Sequence, residues 1–318
     1  MNYDLSPKVS IIVPVSNGEL TIKRCINSIY QNKSNIECIV VINNTTDNTK
    51  YILDELKRIY KSLHVIDSNA SGVSEARNIG LNNASGEIIG FCDADDYYEP
   101  YAIDTVLELF KITKVDILFS GIYRVYEDEF DGHKREGSKT FKNIIFSSHN
   151  ALRFVLNDQN VMGSVCNKFY KRSVINNCRF DTSLSHCEDT HFNALVLRNE
   201  LKVLLANTIT YNYAHNHTSA TNVVDNCFYE NGKLKYLLAF EKIKEMYKTN
   251  IEICLECSYT IYLLSIQNYS AALSENRKKY LKYYIYRNIY TVLLLYKHGV
   301  INNMKLLKKG ILILLGIR

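Results

Sequence analysis

The sequence predicts an α/β fold with a mixed, mostly parallel sheet flanked by helices, followed by a helical C-terminal extension. Three observations predict it. Short apolar runs recur at Val9–Val15, Cys38–Ile42, Leu63–Ile66 and Ile88–Cys92, and stretches of helical period separate them. The runs are continuous rather than alternating, as strands covered on both faces require. From about Asn226 the composition turns to Tyr, Leu, Ile and Lys without proline, a pattern of packed helices.

At 318 residues, 47% of them hydrophobic, the chain can bury the core of one large α/β domain plus an extension. Its nine cysteines are odd in number and scattered, which argues against a disulfide framework or a structural zinc site and makes the cytoplasm the expected compartment. Val9–Val13 lacks a basic lead and runs into Pro14, a poor match to a secretory signal. No apolar run reaches the roughly 18 to 20 residues of a membrane span. A formal charge of +5 with dispersed lysines offers no patch for nucleic acid, and no nucleic-acid partner is expected.

In chain order, Val9–Val15 reads as a buried strand that Pro14 should end. After the Asn17-Gly18 turn signal, Leu20, Ile22, Cys25, Ile26, Ile29 and Tyr30 recur at helical spacing, leaving Lys23, Arg24 and Asn27 outside. Cys38–Ile42 is the second strand. Asn43-Asn44-Thr45-Thr46-Asp47 then supplies a turn and helix cap, and Ile52, Leu53, Leu56 and Ile59 form the next apolar stripe. Leu63–Ile66 is a short third strand, and Gly72 precedes a helix over Ser74–Asn83 that Ser85-Gly86 closes. Ile88–Cys92 is the fourth strand. Pro100–Lys114 reads as an amphipathic helix with Ile103, Val106, Leu107 and Phe110 inward, Asp116–Tyr126 as a strand, and Glu127–Ser138 as a surface loop or mobile hairpin.

The fourth strand ends in Asp93-Ala94-Asp95-Asp96. Two carboxylates about 4 Å apart repel by roughly 4 kcal/mol at an effective dielectric of 20, so such a cluster is tolerable in open solvent or around a cation. Oxygen-only ligands suit Mg²⁺ or Mn²⁺, whose shell is completed by water and phosphates, and a diphosphate is the matching guest. In alternating β/α architecture ligands sit beyond the carboxyl ends of the strands, where these polar clusters lie. A solvated acidic turn before the helix at Pro100 is the plain alternative.

Three stretches, Val9-Ser10-Ile11-Ile12-Val13-Pro14-Val15-Ser16-Asn17, Ser71-Gly72-Val73-Ser74-Glu75-Ala76-Arg77-Asn78-Ile79-Gly80, and Phe91-Cys92-Asp93-Ala94-Asp95-Asp96 with Pro100, carry a family resemblance. In order and spacing they resemble the inverting family 2 glycosyltransferases, whose GT-A fold is a Rossmann-like sheet that binds nucleotide diphosphosugars. The resemblance implies that Asp95 is the direct ligand of Mn²⁺ or Mg²⁺ and that Asp93 lies near the ribose and the metal's water shell. It also implies that Pro14, Ser16, Asn43, Arg77, Asn78 and Ala94 belong to the nucleotide pocket. Without the match, Arg77 reads as a surface arginine. Where the family commonly has paired acids after strand two, this chain has Ile42-Asn43. The family's second acid accepts a hydrogen bond from the uracil ring N–H. An asparagine carbonyl still accepts it, without the strength of a charged acceptor, so uridine stays the expected base. Asn43 and Asn44 also suit a plain turn.

Downstream, Asn167-Lys168-Phe169-Tyr170-Lys171-Arg172, Arg179-Phe180-Asp181 and Cys187-Glu188-Asp189-Thr190-His191-Phe192-Asn193 are similar to motifs found together in bacterial polysaccharide-building members of that family. The resemblance thus runs from about residue 8 to about residue 222. It implies that Asp189 is the general base that takes the acceptor proton, with Glu188 as the second candidate. Inverting transfer needs a base on the acceptor side and a cation on the leaving diphosphate, because charge builds at both ends of the transition state. The helix macrodipole alone also favours two carboxylates at a helix start. Tyr211–Ser219 resembles the family's closing strand and loop. Its His215 and His217 point to opposite faces if extended, and His215 is the candidate contact to metal or phosphate.

Residues 1–225 are expected to form the GT-A catalytic domain, and 226–318 a helical extension suited to a membrane surface or to a homodimer. Its last segment, Met304–Arg318, mixes Lys305, Lys308, Lys309 and Arg318 with Ile311–Leu315. It is too short to span, yet fits an anionic membrane surface, where each lysine contributes about 1 kcal/mol. The function these readings support is metal-dependent inverting transfer of a sugar from a nucleotide diphosphate, UDP first, to a glycan or lipid-linked acceptor in bacterial capsule or exopolysaccharide synthesis. A sugar-phosphate nucleotidyltransferase would want a basic, Gly-rich loop after strand one, and Val15-Ser16-Asn17-Gly18-Glu19 lacks it. A non-catalytic nucleotide- or glycan-binding relative is the other alternative, against which Asp93, Asp95 and Asp189 argue.

Overall fold

In the computed structural model of the chain the described residues are 9–128, 132–137, 142–157, 163–215, 234–269, 272, 275–297 and 304–316. The four expected strands are β1 (Val9–Val15), β2 (Ile36–Asn43), β3 (Leu63–Ser68) and β4 (Ile88–Phe91). All four run parallel, with β1 between β2 and β4. Every residue of β1 is buried, which is why its sequence is apolar throughout rather than alternating. Helices α1 (Ile22–Tyr30), α2 (Thr49–Ile59) and α3 (Val73–Asn83) make the connections.

Pro14 lies one residue inside the end of β1, not at it. On the β4 side, Ile12 O accepts from Cys92 N at 3.0 Å, and alternation turns position 14 to that same side. The β1–β4 ladder stops at the Ile12–Phe91 pair, so the missing N–H of Pro14 falls where no partner strand remains. Two residues expected in the core are outside. Leu20 is 91% exposed because α1 begins only at Ile22, and Ile59 is 66% exposed because it ends α2 off the stripe made by Thr49, Leu53 and Leu56.

The sheet continues through β5 (Tyr97–Tyr98), β6 (Ile117–Asp128), β7 (Gly132–Gly137), β8 (Ile144–Ser147), β9 (Lys168–Lys171) and β10 (Lys202–His215). The strand order is β3-β2-β1-β4-β9-β6-β10-β5, with β7 on β6 and β8 on β10. β9 is antiparallel to both β4 and β6, while β6 and β10 are parallel, so this four-residue strand joins two parallel blocks. The segment expected as a loop or hairpin contains a hairpin, in which β7 pairs back along β6. Helix α4 (Ala102–Thr113) takes the place predicted for it; α5 (Ser148–Asn157), β5 and β8 lie outside the elements expected above, although Ala151, Leu152, Val155 and Leu156 of α5 recur at helical spacing and are buried. Two short helices, α6 (Arg172–Ile175) and α7 (Glu188–Val196), complete this region.

By compactness the chain divides into two units, Met1–Ser183 with Phe192–Asn216, and Leu184–His191 with His217–Arg318. The boundary expected at 225 falls outside the described residues. The second unit holds α8 (Lys235–Met246), α9 (Ile251–Tyr269), α10 (Glu275–Lys297) and α11 (Met304–Leu315). Tyr262, Ile266, Ile285, Val292, Leu307 and Ile313 form its core. Cys254 and Cys257 on α9 form a C-x-x-C spacing that qualifies the reading of the cysteines as merely scattered. Burial pushes the Cys257 thiol up to about 12, against the thiolate that metal or redox chemistry needs. Among the described residues, no helix is long and apolar enough to cross a membrane.

One contact fixes α3 against the sheet. A Cβ on Gly80 would stand 2.3 Å from Ile12 Cγ2, so only glycine lets the helix approach β1 this closely. Gly80→Val is expected to destabilise the fold by about 1–3 kcal/mol through overpacking, read as a lower urea midpoint.

Candidate active site

The acidic turn leaves β4 and is clamped at both ends. Before it, Tyr98 Oη donates to Phe91 O at 2.7 Å; within it, Asp96 N donates to Asp93 O at 3.0 Å. β5 then pairs Tyr98 with Tyr211 and Tyr97 with Asn212 of β10. The Tyr211 hydroxyl accepts from Asp93 N at 3.0 Å and donates to Asp96 Oδ2 at 2.7 Å. Ala214 N donates to Asp96 Oδ1 at 2.8 Å, so both oxygens of Asp96 are committed to β10.

The three acids therefore differ. Asp96 is 1% exposed. Burial first, then the charges of Asp93 and Asp95, push its carboxyl well above the usual range, while Tyr211 and Ala214 oppose the shift. Asp93 is partly exposed and receives Nη2 of the buried Arg77 at 2.8 Å. Asp95 is also partly exposed, and burial, then the charge of Asp93, raise its carboxyl. Among the described residues no other side chain hydrogen-bonds the Asp95 carboxylate; Arg24 instead reaches its carbonyl at 2.9 Å, lying over the Tyr97 ring at 4.6 Å. Arg24, expected on the outer face of α1, is thus turned to the acidic turn.

The first two β/α loops meet this turn. Ser16 follows β1 and is exposed, and a Cβ on Gly18 would come within 2.7 Å of Val15 Cγ2 and 3.8 Å of Ala94 Cβ. Gly18 N donates to Thr49 Oγ1 at 2.8 Å, Glu19 N to Asp47 Oδ2 at 2.9 Å, and Thr46 N to Asn17 Oδ1 at 2.8 Å, so the loops after β1 and β2 lock together. Asn43 is the last residue of β2; its Oδ1 accepts from Asn44 Nδ2 at 3.2 Å, and the same Asn44 amide reaches Ala70 O at 3.3 Å. One lone pair of the Asn43 carbonyl is left for a further donor.

Beneath the acids lies an aromatic floor. Phe180 stacks on Phe192 with centroids 4.1 Å apart, and both meet Phe91 edge-on. Arg77 lies over the Phe180 ring at 5.4 Å. Both polar atoms of the Asn78 amide are taken by the backbone of Phe180, at 2.8 and 2.9 Å, which ties α3 to this floor rather than leaving the amide for a ligand. Cys25 and Cys92 place their sulfurs 3.6 Å apart below Asp93, and burial holds the Cys92 thiol well above its usual range.

The structure thus brings Arg77, Asp93, Ala94 and Asp95 together at the carboxyl end of the parallel strands, beside the loop that follows Pro14 and Ser16. Glu188 and Asp189 form the first turn of α7, where both are partly exposed. His215 ends β10 with its side chain outside the described residues, as is all of His217. Sequence reasoning missed Tyr211 and Asp96 as the clamp. A signal existed in the Tyr211-Asn212-Tyr213 stretch, where attention went to the histidines instead.

The acid pair fits a hard divalent cation. Asp93 and Asp95 are both part-exposed oxygen donors whose mutual repulsion a cation would relieve. Among the described residues no three His, Cys, Asp or Glu side chains gather into a metal-holding group; Mg²⁺ is commonly held by one or two carboxylates beside water and phosphate oxygens.

Residues 10–179 match the family described as Glycosyl transferase family 2. The chain is 28% identical to the glycosyltransferase GlyA of Streptococcus pneumoniae serotype 4, over 65% of its own length and 30% of that protein. It is 29% identical to the uncharacterized glycosyltransferase EpsJ of Bacillus subtilis strain 168, over 68% of its length and 64% of EpsJ. It therefore spans less than two thirds of either relative. S. aureus TarS 1–349 in complex with UDP-GlcNAc superposes with a TM-score of 0.70 over 90% of this chain and 81% of that one, at 19% identity. The architecture is the GT-A fold expected from the sequence.

Tyr211→Phe is expected to cost about 1–3 kcal/mol, because it leaves the Asp96 carboxylate and the Asp93 amide each short of a partner. Denaturant unfolding measures it, and an unchanged midpoint would show that the hydroxyl does not hold the turn.

Proposed function

The chain belongs to glycosyl transferase family 2, and on that premise we propose that it transfers a sugar from a nucleotide diphosphate, UDP first, to a hydroxyl of a glycan or lipid-linked acceptor. The transfer inverts the anomeric centre and is assisted by Mn²⁺ or Mg²⁺. The observation that carries this reading is the acid pair, with Asp93 fixed by buried Arg77 and Asp95 beside it, at the strand ends where a diphosphate would lie. The TarS complex with UDP-GlcNAc supports a uridine donor. The motif likeness supports a role in bacterial capsule or exopolysaccharide assembly at the cytoplasmic face of the membrane.

In this scheme the acceptor oxygen attacks the anomeric carbon, the bond from that carbon to the diphosphate oxygen breaks, and its electron pair leaves with the nucleoside diphosphate. Asp189, supported by its motif and its place in the first turn of α7, takes the acceptor proton, with Glu188 next to it as the alternative base. Asp95, with Asp93, would hold the cation, which supplies charge neutralisation on the leaving diphosphate. Asn43 accepts the uracil N–H through its remaining lone pair.

Three measurements test this. Calorimetric titration with UDP, GDP, CDP and dTDP, each with and without Mn²⁺, should show metal-dependent preference for UDP; absence of binding by all four would remove the donor site. Asp95→Ala should weaken Mn²⁺-dependent UDP binding by about tenfold or more, some 1.4 kcal/mol, and equal affinity with and without metal in the wild type would exclude Asp95 as a ligand. Asp189→Asn should lower kcat by about 10²–10⁴ with UDP affinity kept, whereas joint loss of binding and turnover would move Asp189 out of the base role.

A further inference from the structure

Helix α10 buries Leu281, Tyr284, Ile285, Asn288, Val292 and Leu295. Its other face is not polar. Lys279, Tyr283, Tyr286, Tyr290, Leu293 and Lys297 follow one another at steps of four and three residues, a single stripe along the helix, and all are exposed. Tyr286 and Tyr290 are 72% and 70% exposed, unusual values for large side chains. In α11, Leu307, Gly310 and Ile313 face the core, and a Cβ on Gly310 would meet the Tyr262 hydroxyl at 2.0 Å, so that face is fully used. The opposite side exposes Met304, Ile311, Leu312 and Leu315 among Lys305, Lys308 and Lys309.

The charge on these two faces is one-sided. Glu275 is the one described carboxylate of α10 and α11, and it pairs with Lys278; Arg287 pairs with Glu241 of α8. Lys279, Lys282, Lys297, Lys305, Lys308 and Lys309 have no ion-pair partner among the described residues.

We propose that the outer faces of α10 and α11 form a membrane-docking surface for an anionic bilayer, with the tyrosine stripe at headgroup level and the lysines against lipid phosphates. Aromatic residues with a polar tip favour the headgroup layer, and a helix with basic and apolar residues on its outer side lies in that plane. The chief rival occupant is a second copy, since a stripe at steps of three and four is also a helix-pairing seam. Charge decides against it. The α10 stripe carries a lysine at each end, so two copies paired along it, parallel or antiparallel, set lysine against lysine, while an anionic bilayer answers every one of them. The proposal deepens the reading above, from which it takes only the lipid-linked acceptor.

Co-sedimentation of the full chain with vesicles tests it. Vesicles containing phosphatidylglycerol should bind at least tenfold more tightly than pure phosphatidylcholine, with binding weakened by salt. At about 1 kcal/mol per lysine, Lys305→Gln, Lys308→Gln and Lys309→Gln together should weaken that binding by about 100-fold. Tyr286→Ser with Tyr290→Ser should weaken it at unchanged charge, and the exposure of all five side chains leaves the thermal midpoint as the check that the variants fold. Equal binding to both vesicle types, binding to neither, or a dimer in sedimentation equilibrium that the tyrosine variant dissolves would each overturn the proposal. UDP titration of the same preparation reads the donor site independently, so failure here and failure of the transferase reading are separable.

Discussion

The candidate active site depends on a carboxylate that is not offered to any ligand. Asp96 is sealed in the interior, where an ion without partners would cost several kcal/mol. Two donors from β10, the Tyr211 hydroxyl and the Ala214 amide, offset that cost, each hydrogen bond to a charged group contributing about 1.5–3 kcal/mol. Because the same hydroxyl also accepts from Asp93 N, one atom of β10 sets both ends of the acidic turn. Three adjacent acids would otherwise have no reason to hold one shape.

From that clamp follows a division of labour among like charges. Asp96 is spent on structure, Asp93 is paired with Arg77, and the Asp95 carboxyl, part-exposed, is raised by burial and by the charge of Asp93. Arg77 in turn rests on Phe180, which stacks on Phe192 and is gripped by Asn78. Residues from three separated motifs thus form one support, which explains why Phe180 and Phe192 stand beside polar motif residues without themselves carrying chemistry.

Much of the parallel half of the fold was legible because β1, β2 and β4 are buried along their length and α1 and α2 are amphipathic, so Val9–Val15 or Leu53 and Leu56 announce their environment. Leu20 and Ile59 misled because apolar spacing says nothing about where a helix begins or ends. The two residues of β5 and the four exposed or half-exposed ones of β8 have no periodicity to read, their pairing being decided by β10. At the site, the acids and Arg77 could be found from local motifs. The clamp could not, since Asp96 and Ala214 are 118 positions apart and only the fold makes them neighbours. Asn78 shows the reverse case, a motif residue whose amide is consumed by the backbone of Phe180.

The placement of β9 and β10 gives the chain a fixed order of events during synthesis. β1 to β4 can pair as they leave the ribosome, but the free edge of β4 waits for Phe169–Lys171, and the acidic turn waits for Tyr211 and Ala214. At about 5–20 residues per second, the 118 positions from Asp96 to Ala214 take roughly 6–24 s to translate. For that interval a nascent chain carries its parallel strands with an unshaped acidic turn, so the candidate site takes its form only after β10 has been made.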